Sequence, residues 1–295
     1  MEFKPVKAED KEKITEYLKH AKARSCDMTF ANIYLWKDFY EATYAEVDGT
    51  IVVRSGGNRV SFSFPIGEGE AAPVIEQLKE HCKEENIPLV FHNISKGMEQ
   101  YLEEHYPGQF EVEYHRDDAD YIYETEALIA LRGRKYHGKK NHINKFKKTF
   151  DWTYEEITEE NTKECMELLQ RWKEENCTPA DIEKHAEICV SEAALTHKDS
   201  LGLKGGLLRA NGKVVAFSIG ERLNEDTFCV HIEKAYADVP GAYPMINQQF
   251  LIHEAGDCKY VNREDDVGNP GLRKAKLSYH PVFLEEKAIA IYKES

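Results

Sequence analysis

Apolar positions along this chain recur at helical spacing in some stretches and alternate in others, and the two rhythms divide it into a short series of elements. Ile14, Tyr17 and Leu18 stand at i, i+3 and i+4 behind Asp10, and Ile33, Trp36 and Tyr40 at i, i+3 and i+7 behind Thr29. That predicts two capped helices in the first 45 residues. Two strand-like runs follow, IVVRS and RVSFSF, joined by a turn around Gly56-Gly57-Asn58; then come a helix from about 71 to 85 and a buried strand, PLVF, at 88–91. The same order returns after residue 200. GGLLRANGKVVAFSIGERL holds two strands around Asn211-Gly212, a two-residue hairpin turn that requires positive φ, and TFCVHIEKAYA is a third strand. A helix is expected from near Pro244 to about Ala255, ended by Gly256, and KYVNRED is the strand after it. Both halves therefore predict a meander of strands, a crossover helix and one more strand, an α/β (α+β) architecture in two copies. We place the first domain at 1–125 and the second at 126–295.

Composition narrows the class. A chain of 295 residues with 41% hydrophobic positions can bury a core in each of two modest domains, which excludes wholesale disorder. No apolar run exceeds the five residues of Ala127–Leu131, whereas a membrane helix needs roughly 20, and the start MEFKPVKAEDKEK carries no apolar signal-peptide region. A cytoplasmic protein without a membrane span is expected. The seven cysteines are scattered with no C-x-x-C pair, as reduced thiols are. Cys165, Cys177 and Cys189 fall too far apart for a zinc knuckle, and no metal is expected.

The net charge of −14 excludes a protein that coats polyanions, DNA included, with its whole surface. Resolved along the chain it conceals a confined basic site. Arg132, Arg134, Lys135, Lys139, Lys140, Lys145, Lys147 and Lys148 crowd seventeen residues without one acidic side chain. His137, Asn141, His142 and Asn144 lie among them, and Ile143, Phe146 and Phe150 keep i, i+3, i+7 spacing. The segment reads as a docked amphipathic helix with a basic outer face. A solvated face that balances an acidic protein is one reading. Like charges at Lys135 and Lys139 repel at i, i+4, however, and an anionic ligand such as a phosphate, a coenzyme or an RNA backbone would relieve them.

Two constellations in the second half carry candidate chemistry. Alternation along TFCVHIEKAYA places Cys229, His231 and Glu233 on one face, so His231 and Glu233 are neighbours and His231 is a candidate general base beside a carboxylate. A buried polar pair is the alternative. The helix start at 241–247, with Tyr243 and Asn247, exposes unpaired N–H groups and is a natural anion seat, with Lys234 just upstream. Neither a phosphate-binding P-loop nor a dinucleotide G-x-G-x-x-G is present. In YVNREDDVGNPGLRKAKLSYHPVF, Asn262, Arg263, Glu264, Asp265 and Asp266 end a strand, and Asn269 and Pro270 open a short helix carrying Arg273, Lys274 and Lys276. These charges read either as a salt-bridge net or as ligand contacts. A divalent ion on Glu264, Asp265 and Asp266 is disfavoured because consecutive strand residues point opposite ways.

The strings SCDMTFANIYLWKDFY, LRGRKYHGKKNHINKFKK, HIEKAYADVPGAYPMINQQF and NREDDVGNPGLRKAKLSYHPVF carry a resemblance across roughly residues 25–293. The chain resembles the bacterial family of proteins related to the C-terminal domain of phosphatidylglycerol lysyltransferase. The resemblance implies two tandem acyl-CoA N-acyltransferase (GNAT)-like domains, each a mixed, mostly antiparallel sheet flanked by helices, as in Fem-type transferases that use aminoacyl-tRNA. Where acetyl-coenzyme A enzymes of this fold carry Q/R-x-x-G-x-G/A, this chain has Asp238-Val-Pro-Gly-Ala-Tyr, which weakens the case for that donor.

The expectation is an acyl or aminoacyl transferase that requires no cofactor. Its donor would be aminoacyl-tRNA or, second, acyl-coenzyme A, and its acceptor an unidentified amine or hydroxyl. His231 and Glu233 would be catalytic; Arg134, Lys135, His137, Lys139, Lys140, Asn141, Lys145, Lys234, Tyr243, Asn247, Asn262, Arg263, Arg273, Lys274 and Lys276 would contact substrate or carrier. The alternatives are a non-catalytic module of the same fold that binds tRNA, nucleotide or an acidic partner, and, more distantly, a nuclease or phosphotransferase.

Overall fold

The structure is a computed structural model that describes residues 1–57 and 59–293, so Asn58 of the first predicted turn lies outside the described residues. The chain begins with β1 (Lys4–Pro5), α1 (Lys11–Leu18) and α2 (Phe30–Trp36). The strands β2 (Thr43–Val47), β3 (Thr50–Ser55), β4 (Ser61–Ser63) and β5 (Ile66–Gly67) follow, then α3 (Ala71–Glu85), β6 (Val90–Ile94), α4 (Lys96–His105) and β7 (Phe110–Tyr114). Next come β8 (Asp120–Glu124), α5 (Thr125–Ala130), α6 (His137–Thr149), β9 (Trp152–Glu156), α7 (Thr162–Asn176) and α8 (Ile182–Leu201). The last third holds β10 (Lys204–Ala210), β11 (Lys213–Arg222), β12 (Thr227–Ala235), α9 (Ala242–Glu254), β13 (Tyr260–Asn262), α10 (Pro270–Leu277), β14 (Phe283–Glu285) and β15 (Ala288–Tyr292).

These elements form two mixed sheets with one topology. The first has the order β1-β2-β3-β4-β6-β15-β7, with β5 added on β3; the second, written from its other edge, has β9-β10-β11-β12-β13-β8-β14. In each sheet the strand before the crossover helix pairs in parallel with the strand after it, β4 with β6 and β12 with β13. The remaining pairings with a defined register among the described residues are antiparallel. The predicted meander, helix and strand are therefore present twice.

The domain assignment needs one correction. The two compact units comprise Met1–Asp120 with Asp265–Arg273 and the chain from Leu284 onward, and Tyr121–Glu264 with Lys274–Phe283. Each sheet draws its sixth strand from the other end of the chain: β15 lies between β6 and β7, and β8 between β13 and β14. A boundary at 125/126 would strand β8 and β15 in the wrong halves, because strand pairing, not chain order, sets membership.

Local signals explain most element ends. The Thr29 hydroxyl accepts the Asn32 N–H at 3.1 Å and opens α2. Asn269 Oδ1 accepts from Gly271 and Leu272 at 2.9 and 3.1 Å, with Pro270 at the first position of α10. Asp10 precedes α1, but its carboxylate accepts the Lys7 N–H at 3.0 Å instead of capping the helix. The turn between β10 and β11 has positive φ at Asn211 and Gly212, 50° and 79°. α9 starts at Ala242, two residues before Pro244, because Gly241 at φ 90° lets its carbonyl accept the Met245 N–H at 3.0 Å. β13 stops at Asn262 instead of running through RED, since Glu264 turns left-handed at φ 57°.

Candidate functional site

In the second unit, β12 and β13 pair only from Thr227↔Tyr260 to Cys229↔Asn262. Beyond that point β12 stays on β11 as far as Ala216↔Ala235, while β13 has ended. The two parallel strands thus part where His231 and Glu233 lie. The β11–β12 register also shifts here, from Ile219↔Ile232 to Gly220↔Val230, so His231 is the extra residue of a β-bulge. Gly220 permits this: a Cβ there would stand 2.2 Å from the Cys229 carbonyl oxygen.

Two charged networks occupy the parting. His231 Nδ1 lies 2.8 Å from Glu264 Oε1 and Nε2 lies 3.0 Å from Glu221 Oε1, with the Cys229 sulfur 3.6 Å from Nδ1. Burial alone would lower the imidazole pKa, but the Cys229 sulfur and the two carboxylates outweigh it and hold it well above the usual value. Glu233 belongs to the second network. Arg263 Nη2 donates to its Oε1 at 2.9 Å and Asn247 Nδ2 to its Oε2 at 3.0 Å. The Arg263 guanidinium lies 4.8 Å from the Tyr279 ring centre and 5.9 Å from that of Tyr123, and its Nη1 is buried without a hydrogen-bond partner among the described residues. Lys139 completes the stack, with Nζ 4.0 Å above the Tyr279 ring. Burial, with Arg263 adding to it, pulls the Lys139 ammonium below its usual pKa.

The candidate anion-binding side is built by α6 on α9. Ile143 and Phe146 are buried as the spacing predicts, in a core with Leu208, Val215, Ala242 and Met245. The Tyr136 hydroxyl donates to the Tyr279 carbonyl at 3.1 Å and anchors the start of α6. Gly241 is a point of close approach: a Cβ there would lie 2.6 Å from the His142 carbonyl oxygen and 3.1 Å from Phe146 Cβ. α6 therefore lies directly on the N-terminus of α9, whose first N–H groups carry positive partial charge. Lys140 and Lys145 are exposed on α6, and Arg134 and Lys135 are exposed in the turn just before it. Among the described residues no carboxylate forms a salt bridge with any of them.

The structure sorts the residues singled out from sequence into three groups. Arg134, Lys135, His137, Lys140, Asn141 and Lys145 are exposed on or beside α6, and Lys274 is exposed on α10. Glu233, Asn247, Arg263 and Lys139 converge in the parting of β12 and β13, while the Tyr243 hydroxyl accepts from Trp172 Nε1 at 3.3 Å. The others serve internal contacts. Asn262 Oδ1 accepts the Glu264 N–H at 2.6 Å, and Lys276 Nζ donates to the Arg263 carbonyl at 2.6 Å. Lys234 is buried against the Trp172 ring, 3.9 Å away, and bonds Glu187. Arg273 pairs with Asp266 and Asp117, each at 2.6 Å.

Two of these readings can be set beside the geometry. His231 and Glu233 share a face but not a hydrogen bond, and with both ring nitrogens facing carboxylates His231 is not poised as a free base. The acidic triplet diverges: Glu264 faces His231, while Asp266 is fully buried between Arg116 and Arg273. Sequence reasoning missed Glu221, Tyr123 and Tyr279. The bulge at His231 aims it at Glu221, and regular alternation carries no sign of it. Tyr279 reaches the site from the loop after α10, where no periodicity points.

The family profile described as phosphatidylglycerol lysyltransferase, C-terminal, matches residues 19–291. A protein of unknown function from Bacteroides thetaiotaomicron is 36% identical, with a TM-score of 0.94 over 99% of both chains. L-PGS from Bacillus licheniformis is 14% identical, with a TM-score of 0.66 over 96% of this chain and 92% of that one. FemX is 10% identical, with a TM-score of 0.65 over 99% and 98%. These likenesses show the tandem GNAT-like fold. An uncharacterised protein of Mycoplasmoides gallisepticum is 24% identical over 175 residues, 58% of this chain and 55% of that protein; the match spans about half the length of that curated relative. Among the described residues, no helix is long and apolar enough to cross a membrane.

Proposed function

The chain belongs to the phosphatidylglycerol lysyltransferase C-terminal family, and from that premise we propose that it is an aminoacyltransferase that moves an activated aminoacyl group from an anionic carrier to an amine or hydroxyl acceptor. Aminoacyl-tRNA is the first choice of carrier and acyl-coenzyme A the second. The observation that carries this reading is the seating of α6 on the N-terminus of α9, at Gly241, beside the parting of β12 and β13. Exposed Arg134, Lys135, Lys140 and Lys145 with the Tyr243 N–H in the first turn of α9 would take the carrier phosphates. The carrier's acyl end would then enter the parting.

There the acceptor attacks the ester or thioester carbonyl, the carbon–nitrogen or carbon–oxygen bond forms, and the carrier's oxygen or sulfur leaves. Glu233 is the candidate proton acceptor, oriented by Arg263 and Asn247 while each oxygen retains a second lone pair. Positioning of two bound reactants supplies the larger share of such a rate enhancement. The test is label transfer from charged tRNA and from acyl-coenzyme A by the full chain. Glu233→Gln should lower turnover by roughly 100-fold with donor affinity unchanged, whereas Lys140→Glu with Lys145→Glu should weaken donor binding. Absence of transfer from either donor by the folded chain refutes the proposal. The engagement of both His231 nitrogens favours a second reading, a non-catalytic carrier-binding module, for which the same assay would show donor binding without transfer.

A further inference from the structure

We propose that Cys229, His231 and Glu264 form a binding site for a divalent metal ion of the zinc class. Cys229 Sγ, His231 Nδ1 and a Glu264 carboxylate oxygen lie within 4.8 Å of one another. Thiolate, imidazole and carboxylate together select zinc or its cobalt surrogate over magnesium or calcium, which prefer oxygen alone. The Sγ to Nδ1 separation is 3.6 Å, against about 3.5 Å for a tetrahedron with bonds of ~2.3 Å to sulfur and ~2.0 Å to nitrogen. The Nδ1 to Oε1 separation of 2.8 Å is that of a hydrogen bond, and it opens by about half an ångström when a metal replaces the shared proton. Glu264 has the freedom for this, since its side chain is 25% exposed while that of His231 is 4% exposed.

Three further features build the site. His231 Nε2 faces Glu221 at 3.0 Å, the carboxylate partner that fixes a metal-binding histidine in the tautomer with its Nδ1 lone pair free. The β-bulge sets His231 out of register with β11. Glu264 holds a left-handed φ of 57°, secured by its N–H to Asn262 Oδ1 at 2.6 Å and its carbonyl to the Tyr121 N–H at 3.0 Å. A non-glycine residue in that conformation costs free energy that the surrounding structure must over-determine, as at ligand-binding positions. Binding displaces the thiol proton of Cys229 and the proton on Nδ1. Three protein ligands leave the fourth position for water or a ligand group, and Glu221 is a positioning residue.

Metal uptake needs no donor or acceptor, so its test is independent of the transferase reading. The full chain is stripped with chelator and titrated with Co²⁺, then with Zn²⁺. The wild type should take up one equivalent, show a thiolate-to-cobalt charge-transfer band in the near ultraviolet, and lose the band when zinc displaces cobalt. Cys229→Ser should abolish the band, and Glu221→Gln should weaken affinity by about 10-fold while leaving the band in place. Exposed Cys189 is the control, and Cys189→Ser should change nothing. A folded wild type without the band, or a band that survives Cys229→Ser, overturns the proposal.

Discussion

Gly241→Ala is the single substitution that most directly probes the candidate carrier site. The added Cβ would stand 2.6 Å from the His142 carbonyl oxygen and 3.1 Å from Phe146 Cβ, at a backbone φ of 90°. Neither neighbour is the free end of a flexible chain, so α6 must move away from α9. Holding an alanine left-handed costs about 1–2 kcal/mol, and forcing a methyl into a packed contact costs roughly 1–3 kcal/mol more. A total of about 2–5 kcal/mol, at about 2–4 °C per kcal/mol for chains of this size, lowers the melting temperature by roughly 4–20 °C. The assay is far-UV circular dichroism melting, paired with tRNA binding measured well below the transition. The reasoning requires both the lower melting temperature and weaker tRNA binding in the protein that remains folded. A variant that melts and binds like the wild type would refute the close seating of α6 on α9.

Other outcomes follow from the same structure. If Lys140 and Lys145 each contact a carrier phosphate, Lys140→Gln with Lys145→Gln should flatten the plot of log affinity against log salt by roughly 1.5–2 units of slope; an unchanged slope would place the carrier elsewhere. Residues 1–125 expressed alone lack β15, and 126–295 alone lacks β8, so neither fragment should give a cooperative melt. Cooperative unfolding of either would contradict the strand assignment. Burial pushes the His92 imidazole down to about 4. Its contribution to stability is therefore lost as pH falls from about 6.5 toward 4, by at most ~3 kcal/mol. His92→Gln should flatten the urea-midpoint profile over that range and leave it unchanged above pH 7. Lys287 bridges Asp27 at 2.6 Å and Asp120 at 2.8 Å in a buried cluster. Lys287→Met should cost about 3–5 kcal/mol in urea unfolding because it removes the buried ammonium that both carboxylates face.

Much of the fold was legible because its signals are local. Thr29 and Asn269 cap helices through their own side chains, and Asn211-Gly212 turns a hairpin through its own φ values. Ile143 and Phe146 bury one face of a helix whose other face is basic, and spacing alone shows it. The basic face and the helix start beside it were legible for the same reason: a cation run and a helix start are both read from a few consecutive residues. The internal roles of Lys234, Lys276 and Arg273 were not legible. A lysine that donates to a backbone carbonyl and one that awaits a phosphate have the same sequence signature, and only burial separates them.

The amino-acid order determined the order of strands, crossover helix and further strand in both halves, the basic amphipathic helix and the family, because periodicity, caps and turn chemistry act between residues a few positions apart. Tertiary structure alone decided that β8 and β15 join sheets far from their own neighbours in the chain, since a five-residue strand carries no mark of which distant edge will accept its hydrogen bonds. It also decided the partners of His231. Regular alternation assigns a side chain to a face, but a one-residue bulge opposite Gly220 turned this one toward Glu221 and Glu264, and the close backbone approach that permits the bulge forms only when the sheet does.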